Sequence, residues 1–203
     1  MTGCAPATRL RIGLAGLALS GLAVRGRGVG RRETSVFRAI NGLPDVLLAP
    51  AWPLMQAGSL AAVPVSAGVA AACGRPELAT RLLAGGLASW TLAKAVKVVY
   101  RRPRPRVLVQ GARSRGPEAR GLGYVSGHAA VATTLTMTLW PRSRPTARAA
   151  AAATVAAVGT ARIYIGAHLP LDALGGMSLG LAVEAVTDQV FGAAGAACAV
   201  EQW

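Results

Sequence analysis

The stretch VLLAPAWPLMQAGSLAAVPVSAGVAAACG, Val46 to Gly74, contains no charged residue. Crossing the hydrocarbon core of a bilayer takes about 20 apolar residues. The stretch is therefore long enough to cross, and its reading decides the fold. The alternative is a buried helix in a soluble core. More apolar segments follow it along the chain, which favours a membrane bundle. Pro50, Pro53 and Pro64 lie inside the stretch. Membrane helices tolerate such kinks, so one kinked helix is expected over about Leu47 to Cys73.

Outward from that segment, the sequence predicts five more apolar helices. They cover about Arg9–Val24, Leu78–Tyr100, Ser126–Trp140, Ala147–Ile165 and Pro170–Phe191. The run Ile12 to Val24 resembles the apolar part of a signal peptide. Arg25, Arg27, Arg31 and Arg32 follow it, however, with no small-residue cleavage site, so a first membrane helix is expected. Glu33–Asn41 is amphipathic and ends at Gly42, which suits an interfacial helix. Arg101 to Gly123 forms a long polar loop, of the kind that is usually functional or disordered. The Ala-rich end, Gly192 to Trp203, has no clear assignment. The expected class is all-α, an integral-membrane bundle of about six helices in one domain spanning 1–203.

Composition agrees. The 203 residues are 53% hydrophobic, with a mean hydropathy of +0.44. The net charge is +14, with only eight acidic residues. Such a balance suits anionic lipid, an anionic substrate or nucleic acid. No basic face carries stacking aromatics, so nucleic acid is not an expected partner. Cys4, Cys73 and Cys198 lie far apart and form no CxxC pair. Neither a structural zinc site nor any other metal or cofactor is expected. Tyr100, Tyr124 and Tyr164 fall at helix ends that share one face, as in an interfacial belt.

That face also collects ionisable residues. Lys94 and Lys97 end the third helix, and Arg104-Pro105 follows. Ser126-Gly127-His128 opens the fourth helix, Arg162 ends the fifth, and His168 and Asp172 occupy the next turn. Both histidines of the chain are here. Lys97, Arg104 and Arg162 suit a phosphate. Ser126 and Gly127 would offer a helix N-terminus to the same anion. His168 and Asp172, four apart, share a helical face. An aspartate on one imidazole nitrogen fixes the tautomer and frees the other nitrogen as nucleophile or base. The second histidine could then protonate the leaving oxygen. Each piece alone also has an ordinary structural reading: a surface hydrogen bond, an interfacial arginine or a snorkelling lysine.

The spacing resembles that of the type 2 phosphatidic acid phosphatase (PAP2) superfamily. Its motifs are K-x6-R-P, P-S-G-H and S-R-x5-H-x3-D. Here they correspond to Lys97…Arg104-Pro105, Val125-Ser126-Gly127-His128 and Ala161-Arg162…His168…Asp172. The motif region runs from Lys97 to Asp172. Val125 replaces the usual proline and Ala161 the usual serine, and neither change deletes a proposed reacting group. The resemblance implies a PAP2/haloperoxidase-like core in a multi-pass protein of the cell membrane. It implies metal-independent hydrolysis of a lipid phosphate or diphosphate. His168 would become a phosphohistidine, Asp172 would orient it, and His128 would protonate the leaving group. Lys97, Arg104, Ser126, Gly127 and Arg162 would bind the phosphoryl oxygens. Lys94, one turn before Lys97, lies outside the motif and is read from its position as an accessory. Polyprenyl diphosphate, phosphatidic acid and related lipids are the expected substrates, and membrane lipids the expected partners. The rival readings are a phosphotransferase of the same fold and a non-catalytic lipid-phosphate-binding protein. Orientation is pulled two ways. Bacterial members of the family place the site outside the cytoplasm. Of the 22 basic residues, however, 15 fall on the site face and 7 on the other, which points the site inward.

Overall fold

The computed structural model describes residues 5–26, 28–117, 120–140 and 144–200, with side chains through residue 192. Among the described residues the regular structure is entirely helical. Helix α1 is Pro6–Val24, α2 is Arg31–Asn41, α3 is Leu48–Gln56 and α4 is Ala62–Ala72. Helix α5 is Pro76–Tyr100, α6 is Pro105–Leu108 and α7 is Gly127–Leu139. Helix α8 is Pro145–Tyr164 and α9 is Pro170–Val200. A 3-10 turn, Asp45–Leu47, leads into α3. Proline opens α1, α5 and α8, where its missing N–H costs nothing and its fixed φ suits the first turn.

Helices α5, α7 and α9 pack against one another at the centre. Helix α1 lies along α9, α4 against α5, and α8 against α3, α7 and α9. Small residues permit this closeness. A Cβ added at Gly13 would lie 2.7 Å from the Ala182 amide on α9, and one at Gly180 2.9 Å from Thr133 Cβ on α7. Close backbone approach of this kind is how apolar helices associate where lipid removes the hydrophobic drive between them.

Three expectations need correction. The charge-free stretch is not one kinked helix. It divides into α3 and α4, with turns over residues 57–61. The break is at Gly58, not at a proline: Pro53 is accommodated inside α3. Gly58 lies against the backbone carbonyl of His128, where a side chain would collide. The second correction concerns the tyrosines. Tyr124 is 0% exposed and Tyr164 3% exposed, so neither belongs to an interfacial belt. Tyr124 Oη donates to Leu17 O (3.0 Å) and meets Ser20 Oγ (2.8 Å). Tyr164 Oη donates to Pro44 O (2.8 Å). Third, the last helix continues past Phe191 to Val200, which takes in most of the tail left unassigned by sequence. From the sequence a short basic turn, Pro141–Thr146, would join the fourth and fifth helices; residues 141–143 lie outside the described residues, and α8 already begins at Pro145.

Among the described residues, two helical stretches are long and apolar enough to cross a membrane: Pro6–Val24, and Pro76–Leu108, which contains α5. The outer surface is apolar as well, with Leu19 68%, Val69 60%, Val98 61% and Val190 58% exposed. At one end of the bundle Arg9 donates to Glu184 (3.0 Å) and Asp188 (2.7 Å), and Arg81 also pairs with Asp188. Arg81 precedes Lys97 by 16 residues on α5. At 1.5 Å per residue that separates them by about 24 Å. Polar groups therefore gather at both ends of the bundle, with an apolar girth between.

Candidate active site

At the other end, a cavity of about 320 Å³ opens among α5, α7, α8 and the long loop. Lys97, Arg104, Gly127, His128, Arg162 and His168 line it, together with Trp90, Lys94 and Arg120. Six of the eight residues selected from the sequence thus share one cavity. Ser126 and Asp172 stand behind its wall.

Ser126 has a local role. Its Oγ accepts from the Ala129 N–H (3.4 Å) as the N-cap of α7, and its carbonyl accepts from the Ala130 N–H (3.1 Å). Such a cap stabilises by about 1 kcal/mol. The side chain is fully buried. Neither bond uses the Gly127 or His128 amide, so these remain as the donors at the cavity end of α7. The Ser126 amide itself donates to Asp172 O (2.8 Å), which ties the start of α7 to the start of α9.

His168 sits in the turn between α8 and α9, 2% exposed. Its Nε2 lies 3.2 Å from Arg104 Nη1, and its Nδ1 lies 3.5 Å from Asp172 Oδ2. The guanidinium can only donate, so Nε2 faces it as an acceptor and the proton belongs on Nδ1. The Nδ1–Asp172 distance is long for a hydrogen bond; such pairs commonly tighten when substrate binds. Burial, followed by the charges of Lys97, Arg104, Arg162 and the neighbouring His128, keeps the His168 imidazole neutral well below its usual range. A neutral imidazole is what a nucleophile requires.

The cations are held by the backbone. Lys97 Nζ donates to Leu122 O (3.1 Å) and Gly123 O (2.8 Å). Arg104 donates to Ala167 O (2.6 Å) and Arg120 O (3.0 Å), bridging the loop and the His168 turn. Arg162 Nη1 lies 3.6 Å from Met55 Sδ. Among the described residues, the buried Nε atoms of Arg104 and Arg162 have no protein partner, so each keeps an unused N–H donor. The His128 ring meets Trp90 edge-on, with centroids 5.9 Å apart, and Lys94 Nζ is 5.8 Å from the Trp90 centroid.

The loop arginines do not all face solvent. Arg102 and Arg115 are 5% and 8% exposed. Arg115 donates to Asn41 O (2.8 Å), Tyr164 O (2.7 Å) and Leu43 O (2.9 Å), and pairs with Asp45 at 2.8 Å. Val125 and Ala161, the two departures from the motifs, are buried in apolar clusters. Sequence reasoning also passed over Trp90 and the pair Glu33–Arg102. Glu33 was the more detectable, as one of only eight acids in a strongly basic chain.

Fold and site define an all-helical bundle with a basic, two-histidine cavity at one end. The sequence model of the PAP2 superfamily matches residues 78–195, and the chain belongs to that superfamily. The crystal structure of Aquifex aeolicus LpxE is similar, with a TM-score of 0.69 at 23% identity over 76% of this chain and 93% of that one. So is the transmembrane PAP2-type phosphatidylglycerolphosphate phosphatase of Bacillus subtilis, with a TM-score of 0.66 at 19% identity over 88% and 95%. No curated protein matches the sequence.

Proposed function

We propose that this protein is a multi-pass membrane phosphatase acting on a lipid phosphate or diphosphate through a phosphohistidine. The observation that carries the reading is the shared cavity: both histidines line it with Lys97, Arg104 and Arg162, and Asp172 backs His168. Superfamily membership and the phosphatase named among its structural relatives support the reaction class. The apolar girth between two polar ends supports a membrane setting.

In the first step His168 Nε2 bonds to phosphorus as the bond to the leaving oxygen breaks. His128 gives that oxygen its proton. Asp172 accepts from Nδ1–H and stabilises the positive charge that develops on the ring. In the second step water attacks the phosphohistidine, His128 takes its proton, and the P–N bond breaks to release inorganic phosphate and neutral His168. The Gly127 amide and the three cations meet the phosphoryl oxygens, where charge stabilisation does most of the work in phosphoryl transfer. A lipid substrate keeps its tail in the bilayer while its phosphate enters from the end of the bundle.

The test is phosphate release from a panel of phosphatidic acid, phosphatidylglycerol phosphate and polyprenyl diphosphate in detergent micelles with EDTA. Release from at least one lipid, and its loss in His168→Ala, is expected. Loss of turnover in EDTA refutes the metal-independent mechanism.

A further inference from the structure

Behind His168 lies a buried chain of charges that the motifs do not include. Arg102 Nη1 donates to Asp172 Oδ1 at 2.7 Å. The same guanidinium grips Glu33 of α2, with Nη1 to Oε1 at 3.1 Å and Nη2 to Oε2 at 2.6 Å. Glu33 Oε1 also accepts from the Leu171 N–H (3.0 Å) in the first turn of α9. The other oxygen of Asp172, Oδ2, accepts from the Leu169 N–H (2.9 Å) and faces His168 Nδ1. The side chains of Arg102, Glu33 and Asp172 are 4%, 7% and 0% exposed.

We propose that Arg102 and Glu33 are positioning residues for the reaction, completing a chain His168–Asp172–Arg102–Glu33 that fixes how the aspartate meets the imidazole. The proposal rests on the phosphohistidine reading above. Its physical basis is that a carboxylate held at one oxygen can rotate. Asp172 is held at both, by Arg102 and by the Leu169 amide, so Oδ2 stays directed at Nδ1. Arg102 is a long side chain, and an arginine fork clamped on a carboxylate is fixed in plane as well as position. Glu33 supplies that clamp. Arg102 lies between two carboxylates, Glu33 at 2.6 Å and Asp172 at 2.7 Å. Arg102 therefore stays a cation. Breaking a buried pair from one side leaves an unpaired charge, so the chain acts as a unit. Helix α2, amphipathic and short, thereby becomes part of the site's support.

A purely structural clasp between α2 and α9 predicts lost stability with unchanged chemistry. Positioning predicts altered chemistry at His168. The charges around the His168–Asp172 pair are Lys97 on α5, Arg162 on α8, Arg102 and Arg104 in the loop and Glu33 on α2, with His128 on α7 also facing it. Only Glu33 and Arg102 are changed in the rate comparison. The full chain in detergent is compared with Glu33→Gln, Arg102→Lys and Arg102→Met, using phosphatidic acid micelles with EDTA. Thermal midpoints identify the folded variants. If Arg102→Met does not fold, the other two carry the test. A fall of about 10- to 100-fold in kcat is expected for Glu33→Gln and Arg102→Met, as for a lost hydrogen bond to a charged group. KM should stay within about threefold of wild type, and Arg102→Lys, which keeps the charge without the fork, should fall between.

A second readout does not depend on turnover. The chain has two histidines, so 15N-histidine spectra resolve them once His128→Ala assigns the pair. Wild-type His168 should show a neutral ring with its proton on Nδ1. Glu33→Gln and Arg102→Met should shift that signal. Unchanged His168 signals and unchanged kcat in folded variants overturn the positioning role. If the wild type releases no phosphate from any lipid but the His168 signals do shift, the phosphatase reading fails and the positioning chain stands.

Discussion

Replacing Gly127 with alanine separates two uses of one position. Gly127 is the first residue of α7 and lines the cavity. An added Cβ would lie 3.4 Å from the Trp90 ring and 3.9 Å from Ala93 Cβ, which is ordinary contact. The fold therefore has room for the methyl. Alanine also favours helix over glycine, by up to about 1 kcal/mol at interior positions and less at a first turn. At about 2–4 °C per kcal/mol for a chain of this size, Gly127→Ala should leave the midpoint unchanged or raise it slightly. Activity should move the other way. In the proposed mechanism the methyl stands beside the amide that meets the phosphoryl group; alanine keeps that N–H, but a methyl that holds the phosphoryl group off it forfeits the donor, at about 2.7–4 kcal/mol, or 10²–10³ in kcat. Ser126→Ala is the control. It should lower the midpoint by about 2–4 °C through the lost cap and change kcat far less, because Ser126 Oγ is buried on the Ala129 amide. Initial rates of phosphate release and thermal melts in one detergent measure both. A Gly127→Ala protein with wild-type kcat refutes close backbone approach by the phosphoryl group. A large loss of stability refutes the open contact distances.

Three further outcomes are expected. Neutral buried His168 has a pKa below that of the unfolded chain. Its contribution to stability is full above about pH 6.5 and is lost as the pH falls toward the folded value. Thermal midpoints should decline below about pH 6.5, and His168→Gln should flatten that decline. Arg115→Met would take a donor from the Asn41, Leu43 and Tyr164 carbonyls. Tyr164 O keeps Asn41 Nδ2 at 2.9 Å, so the buried Asn41 carbonyl is the group left unsatisfied, at about 1–3 kcal/mol. The midpoint should fall by about 2–12 °C, and protease should cut the loop around Arg115 faster. Gly180→Val should part α7 from α9, since even a Cβ there crowds Thr133 at 2.9 Å. Overpacking of this kind costs about 1–3 kcal/mol, and both the melt and kcat should record it.

The motif residues were legible because each helix end carries its own local signal. Lys97 closes α5, His128 opens α7, and four residues separate His168 from Asp172. Those spacings survive any error in helix boundaries. What was not legible depends on partners distant in sequence. Gly58 breaks the charge-free stretch because the His128 carbonyl occupies the space beside it, and hydropathy carries no trace of that neighbour. Tyr124 and Tyr164 sit at helix ends, as belt residues do. Their hydroxyls turn inward because Leu17, Ser20 and Pro44 offer partners there. Arg102 looked like one more residue of a basic loop until Glu33, 69 positions earlier, supplied its counter-charge.

The geometry of the site follows from how two helices start. His128 belongs to the first turn of α7, and His168 to the turn that leads into α9. Their relation is therefore set by the α7–α9 contact, not by the long connection between α5 and α7. Two features fix that contact. The Ser126 amide is bonded to Asp172 O, which joins the two starts directly. Gly176 lies against the Ser126 backbone and Gly180 against Ala130 and Thr133, with Thr134 Oγ1 donating to Gly180 O (2.9 Å). Side chains at either glycine would hold the helices apart and carry the imidazoles with them. The glycines of α9 lie outside every motif, yet they set how far apart the two imidazoles stand. In the proposed mechanism that spacing decides whether His128 reaches the leaving oxygen while His168 reaches phosphorus, so helix packing and reaction geometry are constrained by the same atoms.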